Sequence, residues 1–205
     1  VFNGEIYNYQ EVKAQLDYQW SSNSDTEVIL AAYIKWGKAC LDKLNGMFAF
    51  AIWDNLEQEL FIARDRLGVK PLYYAHVNGT FVFASEIRSI LSSELVEATL
   101  DQNNLSEYLR FLSLSTPKTL IKNIVQLCPG QYLLFKNNQL STHKYWSLLD
   151  NPKPNNLGYN ELLKTCKSHF VDSVKSRMVA DVKVGAFLSG GIDSSAVVAI
   201  MSELS

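Results

Sequence analysis

Cysteine is scarce in this chain of 205 residues: Cys40, Cys128 and Cys166 are the only three. They lie far apart, show none of the short spacings of a metal site, and leave an odd thiol if two pair. That argues against a zinc module or a disulfide scaffold and fits a reducing, cytoplasmic compartment. Charge of one sign is also lacking, with 19 basic against 21 acidic residues, so there is no electrostatic footprint for nucleic acid or an anionic membrane. Long apolar runs are absent too. Stretches such as Met47-Phe48-Ala49-Phe50-Ala51-Ile52-Trp53 fall far short of the roughly 18 residues that cross a bilayer, and no signal peptide is legible. His76, His143 and His169 are isolated, without a metal-binding companion. What remains is a chain 47% hydrophobic and 20% charged, able to bury one large core or two smaller ones.

Val12 and Leu16 at helical spacing predict a helix from about Tyr9 to Gln19, and the apolar stripe behind Ser24 and Asp25 predicts another over Thr26 to Trp36. Three hairpins follow from apolar runs that flank turn residues: Met47 to Trp53 with Glu59 to Arg64 around Asp54-Asn55, Leu72 to Val77 with Thr80 to Ala84 around Asn78-Gly79, and Gln131 to Lys136 with Leu140 to Trp146 around Asn137-Asn138. Glu86 to Leu91 and Asp101 to Leu112 read as helices. Helices followed by hairpins imply an α+β domain of antiparallel sheet with helical cover. Residues 149–157, with Pro152, Pro154 and three asparagines, read as a linker between a domain over 1–148 and the start of another over 158–205. In the latter the pattern becomes helix (Tyr159 to Arg177), strand (Val182 to Leu188), glycine loop and helix (Ser195 to Met201). One strand with its helices cannot complete a parallel sheet. The chain also begins at Val1 without a methionine, and a fragment truncated at both ends is the expectation.

Three segments point to chemistry. Ser189-Gly190-Gly191-Ile192-Asp193-Ser194-Ser195 joins the expected strand to the expected helix. Its glycines let backbone N–H groups approach an anion, and the helix adds its positive N-terminal end. It lacks the lysine of a Walker-type loop. Asn3-Gly4-Glu5-Ile6-Tyr7-Asn8 sets an amide side chain beside a glycine N–H, two donors suited to an oxyanion, although Asn-Gly equally serves a plain turn. Ser24-Asp25-Thr26-Glu27 reads as a helix N-cap, with Asp25 also able to meet an ammonium group. Arg64-Asp65-Arg66, at a strand end, is expected to form local ion pairs and solvated turns.

With Gly46-Met47-Phe48-Ala49-Phe50-Ala51, Arg64 to Tyr74 and Phe83-Ala84-Ser85-Glu86, these segments in this order closely resemble glutamine-hydrolysing asparagine synthetase, nearly end to end. The resemblance implies an αββα sandwich of the N-terminal-nucleophile hydrolase type, a glutamine amidotransferase domain, followed by the start of an α/β PP-loop ATP pyrophosphatase domain. It implies that Asn3 and Gly4 stabilise the oxyanion as glutamine is hydrolysed, while Glu5 and Asp25 hold its α-amino and α-carboxylate end. It places ATP on Leu188, Ser189, Gly190, Gly191, Asp193, Ser194 and Ser195, with Asp193 helping to organise Mg²⁺. Aspartate is then activated as an acyl adenylate and aminated by ammonia from the first site, releasing AMP and pyrophosphate. The nucleophile in the family is an N-terminal cysteine, which this chain lacks; Cys40, Cys128 and Cys166 match no catalytic position and read as packing residues. The 205 residues alone are therefore expected to be inactive. Glutamine, aspartate and ATP are the implied partners, with neither nucleic acid nor membrane, and the resemblance admits a homodimer of the whole protein. The alternatives are a paralogue that aminates another acceptor, such as a cell-surface polysaccharide or a β-lactam precursor, and a catalytically silent nucleotide-binding relative.

Overall fold

The computed structural model describes residues 1–150, 156–180 and 182–205. Its contacts divide the chain into two compact units, Val1–Asp150 and Asn151–Ser205. The linker expected over 149–157 falls mostly on residues 151–155, outside the described residues.

In the first unit, strands β1 (Phe2–Ile6), β2 (Gly46–Asp54), β3 (Glu59–Arg64), β7 (Gln131–Lys136) and β8 (Gln139–Lys144) make a five-stranded sheet in the order β1-β2-β3-β7-β8. A second sheet has three strands in the order β5 (Thr80–Ala84), β4 (Tyr73–Val77), β6 (Val125–Gln126). Every pairing is antiparallel. The period of two along each strand sorts side chains into three apolar layers. On β2, Phe48, Phe50 and Ile52 face helices α1 (Tyr9–Lys13) and α2 (Asp25–Trp36), where they pack with Ile6, Val28, Ile29 and Phe61. Ala49 and Ala51 face the second sheet and meet Ile62, Leu72, Leu127 and Leu133. The far side of the second sheet contributes Ala75 and packs against Ile90 of α3 (Ile87–Ser92). The layers run helix, sheet, sheet, helix, as expected. Phe48 and Phe61 are wholly buried, each contributing roughly 1.5–3 kcal/mol of transfer free energy.

The second expected helix and all three hairpins are borne out within a residue or two. The first helix is shorter than expected, because after Lys13 the chain tightens into turns, Gln15 N–H to the Val12 carbonyl and Leu16 N–H to that of Lys13. These turns still bury both Val12 and Leu16. Strand β1 has no counterpart in the periodicity reading, since Asn, Gly and Glu are poor strand formers and only pairing to β2 makes the segment extended. Helix α4 (Gln102–Phe111), capped by the Asp101 side chain, buries none of its residues.

The second unit holds α5 (Tyr159–Ser176) and α6 (Ile192–Leu204). The strand expected over Val182 to Leu188 does not form: those residues take no regular structure, and Val182, Phe187 and Leu188 are exposed. A parallel strand draws its hydrogen bonds from neighbours, and the described residues after Asn151 supply helices only.

Candidate functional site

The site in the first unit is built on β1, the outer strand of its sheet. Val1 and Ala51 exchange hydrogen bonds in both directions, and Tyr7 N–H reaches the Asn45 carbonyl. Antiparallel pairs alternate between bonded and non-bonded, so the N–H groups of Phe2, Gly4 and Ile6 point away from β2 to the open edge. Ile6 confirms the phase: its N–H donates to Asp25 Oδ2 at 3.0 Å. Asp25 opens α2, with Ser24 as its N-cap accepting from Thr26 N–H at 3.1 Å. The segment is thus an N-cap, and the same turn presents a carboxylate two residues along the edge from Gly4. Glu27 belongs to the cap alone: it accepts from the Ser22 hydroxyl and from Ser21 and Ser22 N–H, which lowers its pKa.

Gly4 has φ +153°, and a Cβ there would run into the Met47 carbonyl and lie 2.7 Å from Phe48 Cα. Gly46, opposite Ile6, is equally pressed against the Glu5 carbonyl. Glycine at both places lets β1 lie close on β2. Phe2 and Ile6 face the helical layer, so Asn3 and Glu5 project on the side of the second sheet. There Asn3 Nδ2 donates to Ser85 Oγ at 3.0 Å. The two residues line a cavity of about 100 Å³ with Val1, Ala49, Ala51 and Phe83. Asn3, Gly4, Glu5 and Asp25 therefore gather at one sheet edge, beside a small, largely apolar cavity between the sheets. In the sequence Ser85 stands out only as part of Phe83-Ala84-Ser85-Glu86; its place at the site depends on the second sheet lying over β1.

Arg64-Asp65-Arg66 corrects an expectation. Arg64 and Asp65 are buried, 4% and 1% exposed, and they bond to backbone rather than to solvent. Arg64 donates to the carbonyls of Lys70, Gly68 and Leu127. Asp65 accepts from the N–H groups of Phe48, Leu67, Val69 and Lys70. Arg66 reaches the carbonyls of Leu41 and Leu44. Burial works against the charge on Arg64, whose pKa falls. The loop closes on itself because fixed carbonyls and N–H groups replace water. Cys40 lies in the helical-side core with its thiol pushed up to about 12 by burial, as suits a packing residue, whereas Cys166 is exposed.

In the second unit α6 starts at Ile192, three residues earlier than expected, so Asp193 and Ser194 lie in its first turn. Gly190 has φ +81° with open space where a Cβ would stand. Ser189 Oγ and Ser194 Oγ are 3.0 Å apart, and the Ser194 and Ser195 hydroxyls donate to the Gly191 carbonyl. Leu188 is exposed beside them. An open glycine turn with three hydroxyls at a helix N-terminus fits a phosphate group. No group of three or more His, Cys, Asp or Glu that could hold a metal occurs among the described residues. Asp193 is thus a single carboxylate, a donor set that fits Mg²⁺ arriving with nucleotide phosphates and not a protein-only cage. No described helix is long and apolar enough to cross a membrane.

The αββα layers are those of the amidotransferases of the N-terminal-nucleophile type. Two solved structures share the fold: glutamine phosphoribosylpyrophosphate amidotransferase from B. subtilis complexed with ADP and GMP (18% identical, TM-score 0.50, 99% of this chain and 43% of that one), and the allosteric regulatory enzyme of purine biosynthesis (17%, TM-score 0.53, 98% and 42%). Residues 1–146 match the family model described as glutamine amidotransferase domain, and the chain belongs to that family. Residues 165–205 match the model described as asparagine synthase. Among curated proteins, the chain is 40% identical to asparagine synthetase [glutamine-hydrolyzing] 3 of Bacillus subtilis, over 98% of this chain and 33% of that protein. It is also 40% identical to putative asparagine synthetase [glutamine-hydrolyzing] 2 of Methanocaldococcus jannaschii, over 99% and 40%. A protein named amidase chyE, from Penicillium rubens, is 34% identical over 100% of this chain and 30% of its own length. The chain thus spans roughly a third of the length of the curated relatives it matches.

Proposed function

We propose that the chain serves ATP-dependent asparagine synthesis with glutamine as nitrogen donor. The observation that carries this reading is the convergence at the edge of β1: Gly4 N–H turned outward, the Asn3 carboxamide beside it, and the Asp25 carboxylate anchored by Ile6 N–H. Gly4 N–H and Asn3 Nδ2–H are donors for the oxygen of glutamine's side-chain amide as it gains charge in the tetrahedral intermediate. Asp25, at the start of α2, has its Oδ2 held by Ile6, which leaves Oδ1 to face the substrate's α-ammonium group, and Glu5 adds a second carboxylate from β1. The nucleophile is not among Cys40, Cys128 and Cys166; we assign it to an N-terminal cysteine outside these 205 residues, its thiolate attacking the amide carbon with its own α-amino group as base.

The ammonia so released attacks the acyl carbon of aspartate activated as a β-aspartyl adenylate and displaces AMP. In the second unit Ser189, Gly190, Gly191, Ser194 and Ser195 hold the pyrophosphate end of ATP, Leu188 lies at the nucleoside, and Asp193 orients Mg²⁺. When bound, Mg²⁺ draws off charge from the phosphates. A loop without lysine suits release of pyrophosphate, with donors that stabilise the leaving group. Residues 1–148 form the glutaminase domain in this reading and residues 158–205 the first part of the synthetase domain.

The test is pyrophosphate release by the full-length protein. Release that requires both ATP and aspartate, with glutamate formed from glutamine, is the expected outcome; release without aspartate dependence refutes the asparagine assignment. A second reading, an amidotransferase for another acceptor, is favoured by the 34% identity to a protein named an amidase across the whole chain. In that case glutamate still forms but aspartate does not stimulate pyrophosphate release.

A further inference from the structure

The Asn3 carboxamide is asked to present a hydrogen to an oxyanion, yet its residue is exposed, on an edge strand. A carboxamide held by nothing there rotates about its side-chain torsions, the last of them broad. An amide rotated away would carry its N–H groups out of reach of the developing negative charge. The cavity beside Asn3 is walled by Val1, Ala49, Ala51 and Phe83, which offer no side-chain hydrogen bond. The polar contact comes from the other sheet: Ser85, half-buried just after β5, accepts from Asn3 Nδ2 at 3.0 Å across 82 residues of sequence.

We propose that Ser85 is a positioning residue of the glutaminase site, holding the Asn3 carboxamide so that one Nδ2 hydrogen is spent on the serine and the other is presented to the oxyanion. The inference rests on the glutaminase reading above. It makes the oxyanion donor a property of both sheets, since Ser85 Oγ reaches β1 only where the second sheet overlies the edge of the first. Ser85 acts through Asn3, by fixing the rotamer of its amide.

Two measurements test it. In the full-length protein, Asn3→Ala removes one oxyanion donor and lowers glutaminase kcat on the order of 10²–10³-fold. Ser85→Ala is expected to lower kcat by about tenfold or more with KM for glutamine nearly unchanged, and Ser85→Thr, which keeps the hydroxyl, to restore it. In the Asn3→Ala background Ser85→Ala should have no further effect. A Ser85→Ala kcat equal to wild type, or the same loss with and without Asn3, overturns the proposal. The second readout needs no catalysis: in ¹⁵N-labelled protein the two Nδ2 protons of Asn3 should resonate apart from free carboxamides and collapse toward them in Ser85→Ala. Unchanged Asn3 signals in that variant refute the positioning role even if the protein hydrolyses no glutamine, an outcome that would count against the glutaminase reading alone.

Discussion

Asp65→Asn separates a surface turn from a buried hub. A carboxylate in a solvated strand-end turn contributes about 0–1 kcal/mol through its ion pairs. Asp65 is 1% exposed and accepts four backbone N–H groups: Leu67 at 3.1 Å and Val69 at 2.9 Å on Oδ1, Lys70 at 2.9 Å and Phe48 at 3.3 Å on Oδ2. Asparagine has the same shape but one acceptor end. Whichever way its amide is placed, an NH₂ faces two of these backbone N–H groups, around a side chain that is almost wholly buried. Each buried donor left unsatisfied costs about 1–3 kcal/mol, so the pair costs about 2–6 kcal/mol. Against a total stability of roughly 5–15 kcal/mol this is a large fraction. With a urea slope of about 1–3 kcal/mol/M, the midpoint should fall by at least about 0.7 M. The effect also reaches the site, because Phe48, whose N–H is one of the four, is the ladder partner of Gly4. Urea unfolding followed by tryptophan fluorescence and far-UV circular dichroism measures the change. A destabilisation below about 1 kcal/mol would refute the hub and return Asp65 to the surface-turn reading.

Gly4→Ala should cost at least twice what Gly37→Ala costs in the same urea assay. Both glycines have positive φ, but only Gly4 would also drive a Cβ into the β2 backbone, while Gly37 has nothing within 4 Å; equal costs would dismiss the close approach of β1 and β2. Glu107 is held at about 2, first by the Lys118 ammonium and then by Ser115 N–H. A carboxylate lowered in the fold contributes stability that is complete above its ordinary value of 4.5 and is lost as pH falls through about 2. Glu107→Gln should therefore flatten that part of the acid dependence, and a Glu107 carboxyl signal that titrates near 4.5 by NMR contradicts the contact. The Cys40 thiol, pushed up to about 12 by burial, should resist Ellman's reagent at pH 8 in the native chain while exposed Cys166 reacts; rapid labelling of Cys40 would mean the helical-side core is open.

Hairpins at Asn78-Gly79 and Asn137-Asn138, the capped helix at Ser24 and the strand over Met47 to Trp53 were legible because turn chemistry, capping and short apolar runs are local properties. So were the residues of the candidate site, as types in order: an amide beside a glycine, a carboxylate at a helix start, a glycine turn before a helix. Three things were not. The strand β1 exists because β2 pairs with it, through glycines that admit a neighbouring backbone, and propensity alone cannot report that. Val182 to Leu188 carries strand propensity and forms no strand, since no described neighbour completes its hydrogen bonds. Arg64 and Asp65 look like surface charges, and only folding the loop around them supplies carbonyls and N–H groups in place of water. Local pattern thus determined most of the elements and the side-chain types available to this chain. The tertiary structure decided which N–H groups face outward from β1, and set Ser85 across the sheets from Asn3, because such contacts join residues that no spacing in the sequence relates.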